Sequence, residues 1–164
     1  MEVVFKIVLL FVLILINAFF AMSEIAVISL NDSKIKKMAE EGHKKAKKIL
    51  KLTEDSSSFL STIQVGVTLA GFLTSASASE NFADMLNSQL VSWFHITTQA
   101  GQSILYGVSV EVITLITSYF SLVLGELVPK KIAMQKAEAV SFKVVGLLLG
   151  IKTVLRPVIA LLTV

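Results

Sequence analysis

The sequence predicts an all-α integral membrane protein, with three transmembrane helices and amphipathic juxtamembrane helices beside them. Three observations carry this. Hydrophobic residues make up 54% of the 164 residues, and the mean hydropathy is +0.78, too apolar for an ordinary soluble domain. Three stretches, about residues 3–30, 58–79 and 104–128, are long and apolar enough to cross a hydrocarbon core of about 30 Å. The lysines are sorted: eight between residues 31 and 58, four between 129 and 143, none between 80 and 103. The positive-inside rule makes the first two groups cytoplasmic and the third segment external. The chain is then one multi-pass domain in the cell membrane, residues 1–164, with its N-terminus outside and its C-terminus in the cytoplasm.

The first span is wholly apolar from Ile7 to Ile16. It is too long for a signal-peptide core, and Asn17, Ser23 and Glu24 do not make a cleavage site, so it is read as retained. Asn17, Ala21, Glu24 and Ile28 share one helical face. The polar members of that face should meet protein or water rather than lipid.

Asn31-Asp32-Ser33 is a helix-start signal. Residues 34–53 follow as an amphipathic juxtamembrane helix, with Ile35, Met38, Ala39, Ala46, Ile49 and Leu50 on one stripe and lysines elsewhere. Glu40 with Lys44 and Glu41 with Lys45 have i, i+4 spacing. Gly42 is a place where this helix splits in two. A basic face with a thin apolar stripe suits a membrane surface, and a solvated charged helix is the plainer alternative.

Asp55-Ser56-Ser57-Ser58 caps the second span. That span is crowded with small and hydroxylated residues. Gln64, Thr68, Gly71 and Ser75 fall on one stripe, which is either a packing face or one wall of a ligand site. Residues 80–103 hold Glu80 and Asp84 without a lysine or arginine. Phe82, Met85, Leu86, Leu90, Trp93 and Phe94 predict a separate short helix at the external interface, anchored by Trp93. His95 is read as a surface residue.

The third span ends in SLVLGELVPKK, residues 121–131. An acid at membrane depth is expensive, so Glu126 needs a reason. Pro129 has no N–H, so the carbonyl of Gly125, four residues earlier, loses its helical partner. A carboxylate and a freed carbonyl therefore stand side by side, and both are hard oxygen ligands. The plainer reading is an acid snorkelling beside Lys130. Glu111, fifteen residues before Glu126, lies about 22 Å away along a helix and cannot share an ion with it. Residues 136–163 form a last juxtamembrane segment. Lys143, Lys152 and Arg156 make a free span costly, so a helix broken at Gly150 or Pro157 and packed on the bundle is expected, with a fourth span as the alternative.

With this topology Ser23, Glu24 and Glu126 lie in the cytoplasmic half of the membrane, level with Gln64 and Thr68, with Ser75 further out. The predicted metal ligands are Glu126, Gly125, Ser23, Gln64, Thr68 and Ser75, an all-oxygen set. The chain has no cysteine, and its two histidines lie outside the spans, which argues against zinc or copper. No phosphate loop, HExxH motif or nucleophile–base pair is present, so the chain is not read as an enzyme. The charge is explained by membrane loops, not by nucleic acid.

The segments NAFFAMSEIAVISL (17–30), EEGHKKAKKILKL (41–53), FLSTIQVGVTLAGFLTSASA (59–78) and LVLGELVPKKIA (122–133) resemble, in order, the membrane domain of the CorC/CNNM family of magnesium transport proteins, including its hemolysin-like bacterial members. The resemblance implies a homodimeric bundle in the lipid bilayer, a largely dehydrated Mg2+ site open to the cytoplasm, and export coupled to Na+. It makes Gly125 and Glu126 the third-span ligands. Many members have serine where this chain has Ala21, which makes Ser23 the substitute. Many have asparagine where this chain has Val67 and Gly71, which leaves Gln64, Thr68 and Ser75 to compensate. The usual cytosolic pair of CBS domains is absent from this sequence. The function expected is magnesium export, with a non-transporting membrane magnesium sensor or scaffold as the alternative.

Overall fold

The computed structural model describes residues 2–162, and over them the protein is all-α. The helices are α1 (Glu2–Ile28), α2 (Asp32–Glu40), α3 (Lys44–Thr53), α4 (Ser56–Phe94), α5 (Gln99–Leu122), a π-helical turn (Val123–Leu127), α6 (Val128–Gln135) and α7 (Ala137–Leu162). Thr163 and Val164, in the last predicted segment, lie outside the described residues. Three stretches are long and apolar enough to cross a membrane: Val3–Ile28, Ser56–Phe94 and Gln99–Gln135. The protein is a multi-pass membrane protein.

The breaks between helices follow from local chemistry. Asn31 caps α2 by accepting from the Lys34 N–H at 3.0 Å. Asp55 does the same for α4, accepting from Ser58 N–H at 3.0 Å. Gly42 has φ +95°, a left-handed conformation that side chains disfavour, and here the basic segment turns. His43 then caps α3, its Nδ1 accepting from Ala46 N–H at 3.2 Å. The predicted basic helix is therefore two helices, α2 and α3. The break takes Glu40 and Glu41 out of helical register with Lys44 and Lys45, and neither pair forms an ion pair.

Three expectations are corrected. The separate short helix placed after residue 80 is the outer part of α4, which runs unbroken for 39 residues. Residues 72–94 contain neither glycine nor proline, so nothing stops the helix until His95 adopts φ 52° at its C-cap. The helix of the third span does not stop at Val128. The π turn lets the helix pass Pro129, which sits buried in the first turn of α6. The last segment is not broken at Gly150 or Pro157. α7 is continuous and packs against α1, α3 and α4.

The packing explains why α7 stays on the bundle. Ile35, Ala39, Ala46, Ile49 and Leu52 of the basic pair are buried, in one cluster with Val144, Val145 and Leu148 of α7. Each fully buried large aliphatic contributes about 2 kcal/mol. The apolar stripe of α2–α3 thus meets protein rather than lipid, while its lysines stay outside. Lys152 of α7 points its ammonium at the Leu52 and Asp55 carbonyls (3.5 and 3.4 Å), at the turn between α3 and α4. On the surface Lys34 pairs with Glu138. In the spans, Phe5, Phe11, Phe72 and Leu115 are exposed, as lipid-facing residues are. α1 and α4 approach closely where Gly66 lies under the ring of Phe20.

Candidate functional site

The site begins with a backbone irregularity. Over Val123–Leu127 the chain takes one wide π turn, and the Val128 N–H donates to the Val123 carbonyl instead of Leu124. Pro129, next in line, has no N–H for Gly125. The carbonyls of Leu124 and Gly125 have therefore both lost their α-helical donors. Turns of this kind are frequent at functional sites. The sequence showed the loss at Gly125 but not the second freed carbonyl.

The π turn packs against α1, and the charges of both helices meet there. The Lys130 ammonium lies 2.8 Å from Glu126 Oε1 and 3.4 Å from Glu24 Oε2. All three side chains are half-buried, between 27% and 33% exposed. One lysine thus ties the third-span acid to the first-span acid. In the sequence Glu24 marks only a depth on the first span, and the structure makes it a direct member of the cluster. The site carries two negative charges and one positive, and it is reachable from outside the bundle.

Asn17 lies deeper on the same face of α1. It is seven residues before Glu24, about 10 Å along the helix. Its side chain is 5% exposed and packs against Gly125. A Cβ at position 125 would meet Asn17 Nδ2 at 2.9 Å and the Ile14 carbonyl at 3.4 Å. Glycine is needed there for this close approach as well as for an approachable carbonyl. Ser23 is fully buried, and its hydroxyl donates to the Phe19 carbonyl at 2.6 Å. That bond leaves the serine oxygen lone pairs uncommitted.

The second-span residues are placed differently. Gln64 and Thr68 are exposed on α4, Ser75 is half-buried, and none of their side chains is hydrogen-bonded within the described chain. The buried face of α4 is instead Phe59, Thr62, Ile63, Ala70, Thr74 and Ala78. Thr62 and Thr74 spend their hydroxyls on the carbonyls of Ser58 and Ala70, each at 2.7 Å. The predicted ligands Gly125, Glu126 and Ser23 thus lie on the two helices that pack together, while the α4 stripe is turned outward. No three acids or histidines converge among the described residues. An ion held here would need backbone carbonyls and neutral side-chain oxygens beside the two carboxylates. A cleft of about 530 Å³ between α1, α2, α3 and α4, lined by Asp32, Lys36 and Glu54, contains none of the predicted ligands.

Known proteins are similar to this chain in sequence. The chain is 37% identical over 131 residues to UPF0053 protein sll0260 of Synechocystis, covering 80% of this chain and 28% of that protein. It is 32% identical over 136 residues to UPF0053 protein YhdP of Bacillus subtilis, covering 83% of this chain and 30% of that one. It is 27% identical over 151 residues to the polyamine export protein of Salmonella typhimurium, covering 92% of this chain and 32% of that one. The chain spans less than a third of the length of each of these curated relatives. Residues 8–164 match the family model described as the Cyclin M transmembrane N-terminal domain. With its membrane-spanning helices and the GELVPK turn at their centre, the chain belongs to the CNNM family.

Proposed function

We propose that this domain carries Mg2+ across the membrane, outward and in exchange for Na+, through an all-oxygen site where the π turn meets α1. The observation that carries the reading is the pairing of Glu24 and Glu126 beside carbonyls stripped of their helical donors. Carboxylates supply the charge that draws a divalent cation in, and freed carbonyls replace waters that magnesium gives up reluctantly. Ser23 supplies a hydroxyl from α1. Gln64, Thr68 and Ser75, turned outward on α4, complete the shell from a second subunit. The domain acts as a homodimer, with its N-terminus outside, its C-terminus in the cytoplasm and the Glu24–Glu126 mouth facing the cytoplasm. The sorting of lysines supports that orientation.

A second reading has its own observation. The ammonium of Lys130 sits between two carboxylates, at 2.8 and 3.4 Å. A primary amine of a polyamine presents the same group, and one relative is named a polyamine export protein.

The test is flux in liposomes holding the purified chain, read with a magnesium-sensitive dye, with and without an opposing Na+ gradient. Sodium-dependent Mg2+ movement that is lost in Glu126→Gln is the expected result. Spermidine movement without Mg2+ movement gives the polyamine reading. Magnesium binding without flux of either solute gives a sensor.

A further inference from the structure

Asn17 presents an unsolved polar problem. It lies in the apolar body of α1, 5% exposed, and its side-chain oxygen has no hydrogen-bond partner. The N–H groups of a helix interior are spent on the helix itself. An orphan amide oxygen at membrane depth is costly, and a leucine would fill the same space without that cost. Among the described residues Asn87 and Ser141 also carry a buried oxygen without a partner, but Asn17 is the one that faces Gly125. The absence of a side chain at Gly125 lets the amide lie against the π turn. On that turn are the Leu124 and Gly125 carbonyls, themselves deprived of α-helical donors. The amide nitrogen is the end nearest Gly125, and a half-turn of the amide exchanges it for the orphaned oxygen, which brings three oxygens that hydrogen bonding leaves incomplete together where the helices touch.

We propose that Asn17 is a cation ligand: its amide oxygen, with the π-turn carbonyls, forms the inner, neutral end of the site whose outer end is Glu24 and Glu126. The inference rests on the proposed cation site and deepens it. The acids at the mouth supply charge. The inner oxygens replace water, and this half of the site holds a hard cation after dehydration. The division also explains why an amide, rather than a third acid, stands two turns inside the membrane. A neutral oxygen binds the ion without leaving an uncompensated charge there when the ion departs.

The experiment uses the purified full chain in detergent, with Mg2+ binding by calorimetry and thermal melting on the same samples. Asn17→Leu is expected to weaken Mg2+ binding by about tenfold or more, with the melting temperature unchanged or raised. Asn17→Asp, which keeps an oxygen and adds charge, is expected to bind Mg2+ at least about threefold tighter. Wild-type affinity in Asn17→Leu overturns the inference, because the amide is then only a packing residue. Should Asn17→Leu fail to fold, Asn17→Asp decides alone, and unchanged or weaker binding in it is equally fatal. Glu126→Gln separates the two levels. Loss of binding there alongside an indifferent Asn17 leaves the site standing without its inner end. Wild-type binding in Glu126→Gln removes the site itself, however the Asn17 variants behave.

Discussion

The Lys130 ammonium holds the Glu126 carboxylate at 2.8 Å, one turn back along the helix and across Pro129. The same ammonium reaches Glu24 at 3.4 Å. A cation seeking Glu126 must therefore displace a charge already tethered beside it. Lys130→Met removes the competitor and leaves the carboxylates in place. Its Mg2+ affinity is expected to rise, by up to about fivefold for a partly exposed pair. Calorimetry on the two proteins checks this, and equal or lower affinity in the variant shows that Lys130 does not compete.

Gly125→Ala tests the close approach of the π turn to α1. The new Cβ would meet Asn17 Nδ2 at 2.9 Å and the Ile14 carbonyl at 3.4 Å. Both neighbours are held by a packed helix. A net loss of about 1 kcal/mol is expected after the helix-propensity gain of alanine is counted. In an Asn17→Ala background the loss should largely vanish, since the obstructing amide is gone. Chemical denaturation of the four proteins in micelles measures the coupling.

Pro129→Ala returns an N–H to the position that lacks one. The segment is then free to close into a regular α-helix, with a donor for the Gly125 carbonyl. The expected result is a protein that melts no lower than the wild type but has lost most of its Mg2+ binding. Amide hydrogen exchange at residues 125–130 should slow as the turn tightens. Full binding by this variant would show that the site does not depend on the wide turn.

Gly66→Ala probes the α1–α4 contact, away from the charged cluster. Its Cβ would come within 2.5 Å of the Phe20 ring, which is itself buried and set edge-on against Phe19 at 5.5 Å. A loss of about 2 kcal/mol is expected from overpacking. Phe20→Leu in the same chain should recover part of it. The readout is the melting temperature of single and double variants.

Much of this architecture is written in short-range signals. Asn31 and Asp55 cap the helices that their positions predict, because a side-chain oxygen at a helix start has one obvious use. Gly42 breaks the basic helix because its backbone is left-handed. The membrane spans follow from hydropathy alone. Sequence and structure part where tertiary context decides. The acidic, lysine-free stretch after residue 80 reads as an interfacial segment, yet with no breaker in it the helix simply continues. The apolar stretch reads as ending at residue 128, yet the helix continues past Pro129 through a wider turn. The apolar stripe of α2 and α3 reads as membrane-seeking, and α7 covers it instead. At the site, Gly125 and Glu126 were legible from the proline three and four residues on. Glu24 was noticed for its depth, but its shared lysine required knowing that α1 runs beside the π turn. Asn17 was visible as a polar residue on the Glu24 face, and only the packing shows its oxygen to be without a partner.

The length of α4 has a mechanical consequence. At 39 residues it measures about 58 Å, nearly twice the hydrocarbon thickness of about 30 Å. Its first half is gripped by α1 at the Gly66–Phe20 contact, and its second half leans on α5, where Ser79 and Thr114 hydroxyls meet at 3.1 Å. A rod held this way acts as a lever. A tilt of about 10° at one membrane face displaces the far tip by roughly 10 Å. A shift of α1 at the Gly66–Phe20 contact would therefore be amplified at the far end of α4, with no flexible joint needed between them.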